Sequence, residues 1–175
     1  MEYIFTLKYQ LSEADIDLDE LVERLGVAGC DDALIGIGHP GRIALEFTRE
    51  ADSADEALVS ALASVKSVVP SAKLIEAAPD FVGLTDAAQA VGVTRQNMRK
   101  LMLKHSTSFP TPVHEGTTTV WHLADILAWL QAKCNYNLEQ RLVDVASTAM
   151  QINLAKEGRQ MTSRMQREVR MLEKV

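Results

Sequence analysis

Two cysteines, Cys30 and Cys134, are all the chain offers for covalent cross-linking, and they lie far apart with no Cys-x-x-Cys spacing. The expectation is therefore a pair of buried free thiols rather than a disulfide framework or a cysteine-built metal site. No apolar run approaches the roughly 18–20 residues of a membrane span, and the segment MEYIFTLKYQ lacks a basic stretch followed by an apolar core. A cytoplasmic protein with no membrane partner is expected. Catalytic signatures are also missing, with no nucleophile–base pair, metal-ligand set or phosphate loop. Gly36-Ile37-Gly38 lacks the remaining glycine and the following helix of a dinucleotide site. His105, His114 and His122 have no cysteine pair beside them, and a proline-rich loop separates the first two; core or groove-facing histidines are expected rather than zinc ligands. These absences predict a non-enzyme without cofactor or metal.

What is present is an ordinary globular composition, 47% hydrophobic over 175 residues, enough for one large or two small domains. The net charge of −6 is unevenly placed. Residues 1–80 carry 16 acids and 6 bases, whereas residues 81–175 carry 8 acids and 12 bases. An acidic module followed by a basic one suggests that only the second half meets phosphates.

The first module, residues 1–79, reads as strand, helix, strand, strand, helix, strand. Tyr3, Phe5, Leu7, Tyr9 and Leu11 alternate with polar residues at the period of a half-buried strand. Asp17 with Glu20 resembles a capping box opening a helix whose stripe is Leu18, Leu21, Val22 and Leu25, closed by Gly26. Ala33 to Ile37, the turn Gly38-His39-Pro40-Gly41, and the alternation of Ile43, Leu45 and Phe47 predict a hairpin. Ser53 with Glu56 opens a second helix that Pro70 stops, and Lys73 to Ala77 supplies a last strand. This β-α-β-β-α-β order is the ferredoxin-like plan, in an α+β chain. Asp31-Asp32 reads as a polar turn and His39 as an exposed hairpin tip. Dimerisation, binding of a small ligand and docking of a protein partner all remain open for this module.

The second module, residues 81–132, carries the informative motif. In Leu84 to Lys104, Ala88 is the small residue where two helices cross and Gly92 the turn residue able to take positive φ. Val93, Met98 and Leu101 supply the apolar face. Thr94 caps the second helix, 94–105. That helix presents Arg95, Gln96, Asn97, Arg99, Lys100 and Lys104, residue types that pair with base edges or phosphates. Arg95, Gln96 and Arg99 are placed at bases and Lys100 and Lys104 nearer phosphates, with Thr85 donating to a phosphate at the start of the first helix. Phe109-Pro110-Thr111-Pro112 is extended. Val113 to Glu115 and Thr117 to Trp121 flank Gly116 as a hairpin, a wing over 113–121 whose tip offers His114, Thr117, Thr118 and Thr119. A third amphipathic helix follows through Leu123, Ile126, Leu127 and Leu130.

These residues, LTDAAQAVGVTRQNMRKLM, then FPTPV, then VWHLADILAWL, resemble the excisionase and MerR-like winged helix-turn-helix family over about residues 81–131. The resemblance implies DNA binding by the helix 94–105 and the wing, with Trp121 as a core anchor rather than a contact. It does not extend to the N-terminal module or to a MerR-type effector domain.

The last stretch, 135–175, predicts a helical tail. Asn137 caps a helix whose Leu138, Leu142, Val145, Ala149 and Ile152 form a short heptad seam. Gly158 interrupts it, and Met161, Met165, Val169 and Leu172 resume out of phase. The seam suits either a dimerising coiled coil or packing onto another module. Together these readings point to a sequence-specific protein of double-stranded DNA, a transcriptional regulator expected as a homodimer. Two alternatives stay open: an excisionase-type architectural or recombination factor, and an antitoxin-like protein whose acidic half binds a basic partner.

Overall fold

The computed structural model describes residues 1–13 and 17–173, and the chain is α+β. Four strands, β1 (Glu2–Gln10), β2 (Ala33–Ile37), β3 (Arg42–Glu50) and β4 (Lys73–Ala78), form an antiparallel sheet in the order β2-β3-β1-β4. Two helices interleave with them, α1 (Leu18–Leu25) and α2 (Ala54–Val68). Asp17 accepts the N–H of Glu20, and Ser53 that of Glu56, so both helices start at the side chains able to satisfy their free amides.

Alternation along the strands sorts the two faces. Tyr3, Phe5, Leu7 and Tyr9 of β1 and Ile43, Leu45 and Phe47 of β3 are buried on one face. Phe5 lies opposite Phe47 with the rings stacked 5.1 Å apart. The helices α1 and α2 cover this face, and the other carries exposed Ile4, Lys8, Glu46 and Thr48. Gly26 is the C-cap of α1, though without the left-handed turn of a glycine cap. It stays right-handed, and the chain turns at Gly29, whose φ of +89° suits glycine.

Beyond the sheet come β5 (Phe81–Val82), α3 (Leu84–Ala90), α4 (Arg95–Lys104), β6 (Trp121–His122), α5 (Leu123–Cys134), α6 (Gln140–Gly158) and α7 (Ser163–Leu172). A second core gathers Ala87, Ala88, Met98, Trp121, Ile126, Leu127 and Leu130.

The helix α6 corrects the reading of the tail. Its N-cap is Glu139 rather than Asn137. The seam residues Val145, Ala149 and Ile152 pack into the core under the sheet, while Leu138 and Leu142 pack against the second core, which also buries Ala146. The seam packs onto the chain's own modules, the second of the two alternatives open for it, and α6 forms a third helix over the sheet that joins the two cores. The helix α7, capped by Thr162, buries none of its residues. Residues 174–175 of the expected tail lie outside the described residues.

Both cysteines are free thiols, Cys30 buried and Cys134 half-buried. Burial pushes the Cys30 thiol up from its ordinary range. No helix among the described residues is long and apolar enough to cross a membrane.

Candidate nucleic-acid interface

The helices α3 and α4 meet through a turn at Gly92, which takes φ +72°. The Val93 N–H reaches back to the Ala88 carbonyl at 2.9 Å, pinning the turn against the first helix. Ala87 and Ala88 are fully covered, and Met98 fills the space between the helices. Only small residues at the crossing permit that approach. Thr94 accepts the Asn97 N–H at 3.1 Å, so its hydroxyl oxygen is already engaged in capping α4. At the start of α3 the Asp86 carboxylate accepts the Gly83 N–H at 3.2 Å.

Burying Met98 fixes the rotation of α4. With this residue inward, Arg95, Gln96, Asn97, Arg99, Lys100 and Lys104 are all exposed. Among the described residues no ion pair engages Arg95, Arg99, Lys100 or Lys104. These cations therefore face solvent outside any ion pair among the described residues.

Arg95 and Arg99, one turn apart, face a groove of about 640 Å³ between α4 and the loop that follows. Thr85 lies on its α3 side, and Thr117, Thr118 and Thr119 close it from the loop. Gln96, Asn97, Lys100 and Lys104 lie outside this lining. Two acids, Asp86 and Glu115, share the groove with the arginines, and neither was among the residues picked from sequence.

The loop departs from the hairpin expected at 113–121. Its ladder reduces to one bridge between His114 and Val120, and residues 116–118 are bends rather than strand. The C-terminal end of the expected strand belongs elsewhere. Trp121 and His122 pair as β6 with Val82 and Phe81 of β5, two residues too short to show a strand pattern. At the tip, a Cβ on Gly116 would stand 2.7 Å from His114 Nε2, so a larger residue there would turn the exposed imidazole aside.

Trp121 is buried, and its indole N–H donates to the Pro110 carbonyl at 3.0 Å. Its ring meets Phe109 edge to face, and Phe109 meets Trp129 in the same way. This aromatic cluster holds the root of the loop against α5. No family model, curated protein or solved structure matches this chain.

The three histidines do not converge. His105 packs edge-on to Trp129, His114 sits in the exposed loop, and His122 Nδ1 lies 2.7 Å from Asp80 Oδ1. That last contact belongs to a buried group missed in the sequence. Asp80 also accepts from the Asn153 amide through Oδ2 at 2.7 Å, and its carbonyl accepts the Leu123 N–H at 2.8 Å. In the first module the expected polar turn at Asp31-Asp32 is there, and Asp32 is paired with Arg49.

Proposed function

We propose that the protein is a sequence-specific binder of double-stranded DNA acting as a transcriptional regulator, with α4 in the major groove and the loop 113–121 as a wing. The observation that carries this reading is the rotation of α4: its one buried residue, Met98, turns Arg95, Gln96, Arg99 and Lys100 outward together. A major groove about 12 Å wide admits one helix. With α4 seated there, Arg95, Gln96 and Arg99 reach base edges, Lys100 and Lys104 lie nearer phosphates, and the loop threonines meet the adjoining sugar–phosphate strand. The order α3, α4, loop, β6, α5 supports a winged helix-turn-helix of the excisionase and MerR-like kind. The order β2-β3-β1-β4, with α1 and α2 on one face, supports a ferredoxin-like plan for the first module.

Fluorescence anisotropy with DNA from upstream of the protein's own gene, against scrambled DNA, tests the reading. Specific binding is expected, and the two lysines of α4 placed at phosphates give a salt slope of roughly −2. Replacing Arg99 with Ala costs about 1–3 kcal/mol at the preferred site. Undiminished binding by that variant would overturn the placement of α4.

A further inference from the structure

At one end of the sheet the strand β2 leaves an edge that no other strand among the described residues pairs with. Edge strands are normally defended by charges, prolines or bulges. This one, Ala-Leu-Ile-Gly-Ile, has none, and it exposes Leu34 at 74% and Ile37 at 52%.

The hydrogen-bond phase of the edge can be read from its pairing with β3. The Thr48 N–H donates to the Asp32 carbonyl at 3.0 Å, and Thr48 lies opposite Asp32 in the β2–β3 register. Bonded pairs alternate in an antiparallel ladder. Asp32, Leu34 and Gly36 therefore spend their backbone groups on β3, whereas Ala33, Ile35 and Ile37 direct theirs outward.

We propose that this edge joins the same edge of a second copy of the chain, antiparallel about a two-fold axis at Ile35. In that register Ile35 faces Ile35 of the second copy, and Ala33 faces Ile37 at both ends. All three are outward-directed residues, so the phase is correct throughout and about six backbone hydrogen bonds form. Leu34 falls opposite Gly36 of the second copy, on the exposed face. There Gly36 has only the Ala44 carbonyl near its Cβ position, at 3.9 Å, leaving a notch for a leucine. Half-buried Ile35, on the covered face, extends the core across the axis. A second copy satisfies the geometry and the packing at once, because the strand is complementary to itself. The inference stands apart from the DNA reading and is tested without DNA.

Sedimentation velocity of the full chain across a concentration series should show a dimer. In Ile37→Pro the exposed side chain and outward N–H are removed without touching the β2–β3 ladder. Two bonds of the pairing are lost, and dimerisation should weaken roughly 10- to 100-fold while the circular dichroism of the monomer is unchanged. In a Cys134→Ser background, Ile35→Cys places two thiols across the axis on Cα atoms about 5.5 Å apart. Mild oxidation should link them, whereas Val59→Cys, exposed on α2, should not link under the same conditions. A monomer at every concentration, a dimer indifferent to Ile37→Pro, or cross-linking no better from Ile35→Cys than from Val59→Cys would each overturn the proposal.

Discussion

A guanidinium buried against the covered face of a sheet needs its donors met, and Arg49 shows how β3 does this. Its Nε and one terminal nitrogen fork onto Asp32 at 2.7 and 2.9 Å, another donates to Ser60 Oγ at 3.2 Å, and the Gly29 carbonyl takes a further bond. The group also stacks 4.8 Å from the Phe47 ring centroid. The alternation Ile43, Leu45, Phe47 continues to Arg49, but a charged residue breaks an apolar pattern, so hydrophobic periodicity alone ended this strand early. Removing the arginine leaves the Gly29 carbonyl and Asp32 short of donors. Arg49→Ala should cost about 3 kcal/mol, read as a lower urea midpoint with unchanged slope. Arg49→Lys should recover little of this, since an ammonium cannot fork onto a carboxylate and stack on a ring together. A loss within about 0.5 kcal/mol for Arg49→Ala, the range of ordinary surface changes, would show the network to be ornamental.

Elements were legible where one local interaction decides them. Asp17, Ser53 and Thr94 sit where three helices start, because an unpaired amide needs a nearby acceptor and little else. Gly92 was legible for the same reason, since its positive φ is a property of a single residue. Elements whose place depends on distant partners were not. The strand β5 exists because β6 lies beside it, and two residues have no period. The heptad spacing of α6 fixed which residues face inward without naming the surface they meet; that surface proved to be the chain's own two cores. A chain ending at Asn137 should therefore lose both its cooperative unfolding and its native near-ultraviolet dichroism, because Val145, Ala146 and Ala149 vacate two cores. A chain ending at Arg159, which lacks only α7 with its unburied residues, should keep its stability to within about 0.5 kcal/mol. A folded, cooperative fragment 1–137 would show that α6 is an accessory rather than part of either core.

For the whole molecule, the question is whether the acidic and basic halves unfold together. The junction between them is polar and fully paired. Asn153 of α6 accepts the Ala77 N–H and donates to the Ala77 carbonyl, both at 2.8 Å, and its second amide hydrogen goes to Asp80. Asp80 in turn holds His122 and the amide of Leu123, at the start of α5. One side chain thus ties the edge of the sheet, through Asp80, to the second core. Asn153→Leu preserves volume but leaves the Ala77 groups and one carboxylate oxygen without their partner, and should cost roughly 2–4 kcal/mol. The two tryptophans, Trp121 and Trp129, both lie in the second core, so their fluorescence follows that half alone. Tyr3 and Tyr9 lie in the first core, and far-ultraviolet dichroism follows both halves. In the native chain the fluorescence and dichroism transitions should coincide in urea, and in Asn153→Leu both should move to lower urea together. A fluorescence transition that stays in place while the dichroism shifts would mean that the halves are energetically separate. Any signal from the acidic module to α3 and α4 would then have to travel by a route other than the Asp80–Asn153 junction.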